Sequence, residues 1–185
     1  MMRSFIDITN RLFEHVNYDQ SAIIEYVNTN LDWSSGDGEQ IYEEFRHFHK
    51  LDEEDEIDPK EFQSWFSNWV ENAYSETEWT IEYCLSEGAG NIKLFRSIAA
   101  PKDWKPNHDR HQGIYWSWDR SAAASHWGDY SSGEVDWMLE TSVPENAIDW
   151  PATLGQAAIP SYRDEKEVRI KEGYPIMISD YYPRR

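Results

Sequence analysis

Two carboxylates separated by one residue near the end of the chain, Glu165 and Glu167, have the types and spacing best suited to chemistry. They lie in Asp164-Glu165-Lys166-Glu167-Val168-Arg169-Ile170. If this stretch is a strand, Glu165, Glu167 and Arg169 share one face, and Lys166, Val168 and Ile170 share the other. Cα atoms two residues apart on a strand are roughly 6.5–7 Å from each other, so both carboxylates can serve one reacting centre. Such a pair suits cleavage of a glycosidic-type bond: one carboxylate steadies an oxocarbenium-like sugar cation while the other steers a nucleophile. Arg169, two residues on, favours the ionised form of Glu167. The plainer alternative is an amphipathic edge strand with a solvated charged face, and seven residues do not decide between the two.

Other chemistry-bearing residues are sparse. Cys84 is the single cysteine, which leaves no disulfide framework and no cysteine metal cluster. His108, His111 and His126 lack metal-ligand spacing and read as loop or surface residues. The acidic run from Asp52 to Asp58 invites comparison with a calcium loop. Laid on that pattern, Lys50 falls at the first ligand position and Asp55 where the sharp turn needs glycine, so a solvated loop between helices is the better reading. No metal is expected.

The 185 residues suit one domain of ordinary size, or a domain with a helical extension. Aromatic residues make up 15% of the chain, ten of them Trp, so a substantial core is available despite a mean hydropathy of -0.81. A net charge of -18 argues against binding nucleic acid through a broadly basic surface, although one locally basic cleft remains compatible. The same charge suits high solubility, a basic partner, or a carboxylate surface that mimics nucleic acid. The opening residues Met1–Asp7 carry no apolar core of signal-peptide length, and no span approaches membrane-crossing length. A cytoplasmic protein without membrane contact is therefore expected.

The elements that must position the carboxylates fall into two blocks. Residues 4–87 read as helical, with apolar stripes at Phe5, Ile8, Leu12 and Val16, then Ile23, Ile24, Val27 and Leu31, then Ile41, Tyr42, Phe45 and Phe48. Gly36-Asp37-Gly38 reads as a break ahead of the third stripe. The clearest helix follows Asp58-Pro59-Lys60-Glu61, an N-cap with proline at the first helical position, and carries Phe62, Trp65, Phe66, Trp69, Val70, Ala73 and Tyr74 on one stripe. After Gly88-Ala89-Gly90 the pattern turns to strands: Ile92–Ile98, Gly113–Ser117, Val135–Thr141, Glu165–Ile170 and Ile176–Ile178. A short alanine-rich helix is expected over 120–127, and Ile148–Pro151 reads as an ordered connection. The fold class is α+β: a helical lobe over 1–90 and a β-rich lobe over 91–185.

Three segments of the β-rich half, in this order, resemble the signatures of the ADP-ribosyltransferase fold. Leu94-Phe95-Arg96-Ser97 is similar to the first-strand arginine motif of the arginine-serine-glutamate branch. Gly113-Ile114-Tyr115-Trp116-Ser117 with the following alanine-rich helix resembles the serine motif, although the usual Ser-Thr-Ser here reads Ser117-Trp118-Asp119. Glu165-Lys166-Glu167 is similar to the Glu-x-Glu motif. The likeness spans about residues 92–180 and leaves 1–87 without a role.

The resemblance implies a β-rich lobe of two small packed sheets and NAD as a substrate, with no metal. It implies that Arg96, Ser97, Tyr115 and Ser117 form the NAD site and that Ser117 supports the catalytic glutamate; no His stands near Ser117 in sequence to activate it as a nucleophile. Tyr115 would stack on nicotinamide, as in the branch that uses His-Tyr-Glu. Glu167 is implied to be catalytic, and Glu165 to handle the acceptor. The acceptor would be macromolecular, a protein or a nucleic acid. A neutralising partner protein is expected if the chain acts as a toxin. Two rival functions are an acidic inhibitor that mimics nucleic acid and an NAD glycohydrolase on the same fold.

Overall fold

The computed structural model describes residues 19–106, 113–125 and 134–184. The stripe from Phe5 to Val16 and the three histidines His108, His111 and His126 lie outside the described residues.

The helical block begins where Asp19 accepts a hydrogen bond from the Ser21 amide and caps α1, Gln20–Asn30. Helix α2 spans Gly36–His49, so Gly36-Asp37-Gly38 forms its first turn rather than a break. Gly38 is required there because a Cβ would lie 2.5 Å from the Trp33 carbonyl oxygen. Helix α3, Pro59–Glu87, starts at the expected Asp58 cap and runs for 29 residues. Its buried residues Phe66, Val70, Tyr74, Thr77, Ile81 and Leu85 recur every three or four positions and make one continuous packing seam. The acidic loop between α2 and α3 is held by its own polar groups. The Asp55 carboxylate accepts from the Asp52 amide, and Arg46 reaches the carbonyls of Asp52 and Asp55.

The β-rich half contains β1 (Asn91–Pro101), β2 (Tyr115–Ser117), α4 (Arg120–Ser125), β3 (Glu134–Pro144), α5 (Trp150–Ala158), β4 (Glu167–Arg169) and β5 (Ile178–Pro183). The described strands form one five-stranded antiparallel sheet in the order β4-β2-β1-β3-β5, in place of the two packed sheets that the resemblance implies. Strands β1 and β3 pair along their whole length, from Asn91 opposite Pro144 to Pro101 opposite Glu134.

Three further expectations are corrected. The stretch after Asp149 is a helix, α5, rather than a plain connection. Asp149 caps it and Pro151 occupies its first turn. The closing strand begins at Ile178 and runs onward, instead of covering Ile176–Ile178. The strand expected from Glu165 begins only at Glu167, because Glu165 ends a 3-10 helix, Pro160–Glu165, and Lys166 adopts a left-handed backbone at φ 51°.

One hydrophobic core runs through both halves. Ile23 and Val27 of α1 and Val70 and Ile81 of α3 pack with Leu94 of β1, Leu139 of β3, Leu154 of α5 and Val168 of β4, all fully buried. The turn Gly88–Gly90, with Gly90 at φ 88°, joins helical and β-rich segments of a shared interior. Among the described residues, no helix is long and apolar enough to cross a membrane.

Helix α3 also carries a charge placed against its own interest. Burial, and then the neighbouring carboxylates Glu78 and Glu145, push the Glu82 carboxyl up to about 7. The folded chain thus binds more protons than the unfolded chain between about 4.5 and about 7. This contribution favours folding below that window and is lost as pH rises through it. Glu82→Gln should therefore raise the thermal midpoint at pH 8 by about 2–4 °C, the scale of a partly exposed charge worth about 1 kcal/mol in a chain of this size. Near pH 4.5 the midpoints of Glu82→Gln and wild type should coincide in thermal melts across the pH range.

Candidate active site

The sheet order places β1, β2 and β4 side by side, so Arg96, Tyr115 and Glu167 meet although they are far apart in sequence. They line one cavity of about 450 Å3 together with Tyr26, Asn30, Gln156, Ile159, Tyr162 and Glu165. Both expected glutamates therefore face the same space. Strand alternation does not bring them there, as the sequence pattern had implied. The 3-10 helix delivers Glu165, the left-handed Lys166 turns the chain, and β4 then presents Glu167.

Ser117 secures that bend. Its buried hydroxyl lies 3.0 Å from the Lys166 carbonyl and 3.3 Å from the Glu165 carbonyl, so it can donate to either. It also accepts from the Asp119 amide at 3.1 Å. Lys166 is pinned from outside by an ion pair with Asp119, 2.6 Å long. Ser117 is thus a scaffold of the carboxylate loop and does not line the cavity.

Arg96 is held from two sides. Its Nη1 donates to the Tyr115 carbonyl at 2.6 Å, and its guanidinium lies against Gly113, where a Cβ would come within 2.3 Å of Nη1. Gly113 has φ 87°, so both its backbone and this close approach require glycine. Burial depresses the Arg96 guanidinium while the Glu167 carboxylate opposes that effect. An arginine tolerates this and keeps its charge. An electrostatic partner of Glu167 is accordingly Arg96, two strands away on β1. Arg169 pairs with Asp149 at 3.7 Å and sits 5.8 Å from the centre of the Tyr115 ring, holding that aromatic side chain at the cavity mouth.

Ser97 is corrected. Alternation along β1 sends it to the opposite side from Arg96, where its hydroxyl bonds Asp136, itself paired with Arg184. It ties the C-terminal end of the chain to the sheet and does not reach the cavity. Trp116, which alternates with Tyr115, is core and only 1% exposed.

The sequence pattern pointed to none of the other five lining residues, of which Tyr26 and Gln156 touch the site's polar groups. Tyr26 of α1 enters from the helical half and packs on Gly155, where a Cβ would meet its ring at 2.4 Å. Burial first, then the neighbouring Tyr115, raise the Tyr26 hydroxyl, while Arg169 acts against them. Gln156 of α5 donates from Nε2 to Glu167 Oε2 at 2.6 Å. The cap Asp149, followed by Pro151 and an apolar run, was the signal that could have revealed α5 and hence Gln156.

No family model, curated protein or solved structure matches this chain. Among the described residues, no group of His, Cys, Asp and Glu is arranged to hold a metal ion. A larger groove of about 800 Å3 lies between α2 and α3, with Phe48, Trp65 and Trp69 on its walls, and contains none of the motif residues.

Removing the Ser117 hydroxyl takes away the one donor shared by the Glu165 and Lys166 carbonyls and the acceptor of the Asp119 amide, while the Lys166 carbonyl keeps the Trp118 amide at 3.3 Å. Ser117→Ala should cost about 1–3 kcal/mol, read as a lower urea midpoint at unchanged slope.

Proposed function

We propose that the chain is an NAD-dependent mono-ADP-ribosyltransferase. One observation carries this proposal: Arg96, Tyr115, Glu165 and Glu167, drawn from three adjacent strands and the bend before β4, line a single cavity. The bond between ribose C1′ and the nicotinamide nitrogen breaks, and nicotinamide leaves with the electron pair. Positive charge develops on the sugar, and Glu167 stabilises it while hydrogen-bonding a ribose hydroxyl. An acceptor nucleophile then bonds to C1′ and gives up its proton to Glu165. The Arg96 guanidinium engages the diphosphate, for which its planar fork is well shaped. The Tyr115 ring, at the cavity edge, is available for stacking on nicotinamide.

In this proposal NAD is consumed as a substrate and the acceptor is a macromolecule, protein or nucleic acid, encountered in the cytoplasm. A chain that modifies macromolecules as a toxin or effector would be accompanied by a neutralising partner protein. Transfer to water alone, as an NAD glycohydrolase, uses the same first step and would show as nicotinamide release without any acceptor. An acidic mimic of nucleic acid would consume no NAD.

NAD should raise the thermal midpoint by mass action, and Arg96→Ala should shrink that shift. No shift at saturating NAD would remove the dinucleotide from this cavity. The glutamates should also fail differently. Glu167→Gln keeps its shape but loses the charge opposite the sugar cation, and nicotinamide release should fall by at least about 10²-fold with or without acceptor. Glu165→Gln should reduce transfer to labelled protein or nucleic acid in a lysate while largely sparing NAD hydrolysis. Full activity in Glu167→Gln would sink the proposed mechanism.

A further inference from the structure

Helix α5 is almost wholly apolar, with Ala152, Leu154, Ala157 and Ala158 all buried. Its two buried polar side chains, Thr153 and Gln156, are three residues apart and so lie on neighbouring positions of one helix face. Both engage β4. Thr153 Oγ1 accepts from the Arg169 amide at 3.0 Å, which fixes the strand backbone. Gln156 Nε2 donates to Glu167 Oε2 at 2.6 Å, which fixes the side chain of the proposed catalytic carboxylate. Burying an amide in an apolar helix is unfavourable unless the amide is hydrogen-bonded. Here the partner is a carboxylate, the acceptor that makes such a bond strongest.

We infer that Gln156 is the positioning residue of the site: it holds Glu167 in one orientation and favours its charged form. This rests on the proposed transfer chemistry for its consequence in rate, but the hydrogen bond itself can be tested without any NAD turnover. Glu167 is then steadied by the amide of α5 and by the charge of Arg96 on β1, two groups delivered by separate elements. A carboxylate fixed in this way meets the sugar cation without first paying for its own alignment.

Two substitutions separate positioning from simple packing. Gln156→Met keeps length and volume but removes the donor. It should lower kcat for nicotinamide release about 10²-fold, the cost of small misplacement at a reacting centre, with the KM for NAD little changed. Gln156→Glu keeps the shape but sets a second carboxyl beside the first, and two carboxyls at that distance hold one proton between them. Its acid limb should therefore move to higher pH, with activity recovering as the pair ionises. A packing defect would lower the rate equally at every pH. Carbon NMR of the Glu167 carboxyl gives the independent readout: its titration midpoint should move upward in Gln156→Met relative to wild type, since a bond to the charged form has been lost. An unmoved midpoint, or a kcat within threefold of wild type, would overturn the inference. If the wild type releases no nicotinamide, the proposed function falls, and the carbon titration alone still decides the role of Gln156.

Discussion

The hydroxyl of Ser117 closes the bend on which the site depends. Lys166 takes a left-handed backbone, a conformation that non-glycine residues rarely adopt and that persists only when its surroundings enforce it. Ser117 reaches across from β2 to the carbonyls of Glu165 and Lys166, while Asp119 draws the Lys166 ammonium outward. One short β2–β4 pairing, Ser117 opposite Glu167, therefore sets both the register of β4 and the point where the chain leaves its 3-10 helix. Without that bend, Glu165 would follow strand geometry and the two carboxylates would be related by pleat alone.

Around this bend the sheet and helices divide the work of holding charge. Trp116 and Val168, paired in register, are buried in the core and anchor β2 and β4 from behind. On the cavity side, the Arg96 guanidinium is confined by the bare backbone of Gly113 and tied to the Tyr115 carbonyl. Arg169 is steered away toward Asp149 and the Tyr115 ring. The two arginines thus take separate tasks, Arg96 against Glu167 and Arg169 against Asp149 and an aromatic face. Their different backbone neighbours, rather than their chemistry, make the distinction.

Much of the frame was legible in the sequence. The Asp58-Pro59 start of α3, the helical spacing from Phe62 to Tyr74, and the alternation around Leu94 and Arg96 each reflect a local rule that tertiary packing obeyed. The glutamates were legible as a pair, but for the wrong geometric reason, since a left-handed residue between them leaves no trace in a pattern of period two. Ser97 was misplaced because its neighbour Arg96 dominated the motif, although the alternation used elsewhere would have sent the two side chains apart. Helix α5 was missed because its composition is apolar on every side. A helix buried all round shows little periodicity, and only its cap and proline mark where it begins. Tyr26 could not have been found at all, because what brings it to the cavity is the missing side chain of Gly155.

That contact between Tyr26 and Gly155 bears on how the protein comes into being. The cavity takes one wall from the first described helix and its floor from residues near the far end of the chain. Domains fold during synthesis from the N-terminal side as the ribosome delivers them, yet here the early helices wait for α5 and β4 before their apolar faces are covered. A ribosome-bound chain still lacking β4 holds Tyr26 and Arg96 but no cavity. Whatever chemistry the cavity performs is therefore withheld from any copy that still lacks β4, and the synthesis of that strand acts as its switch.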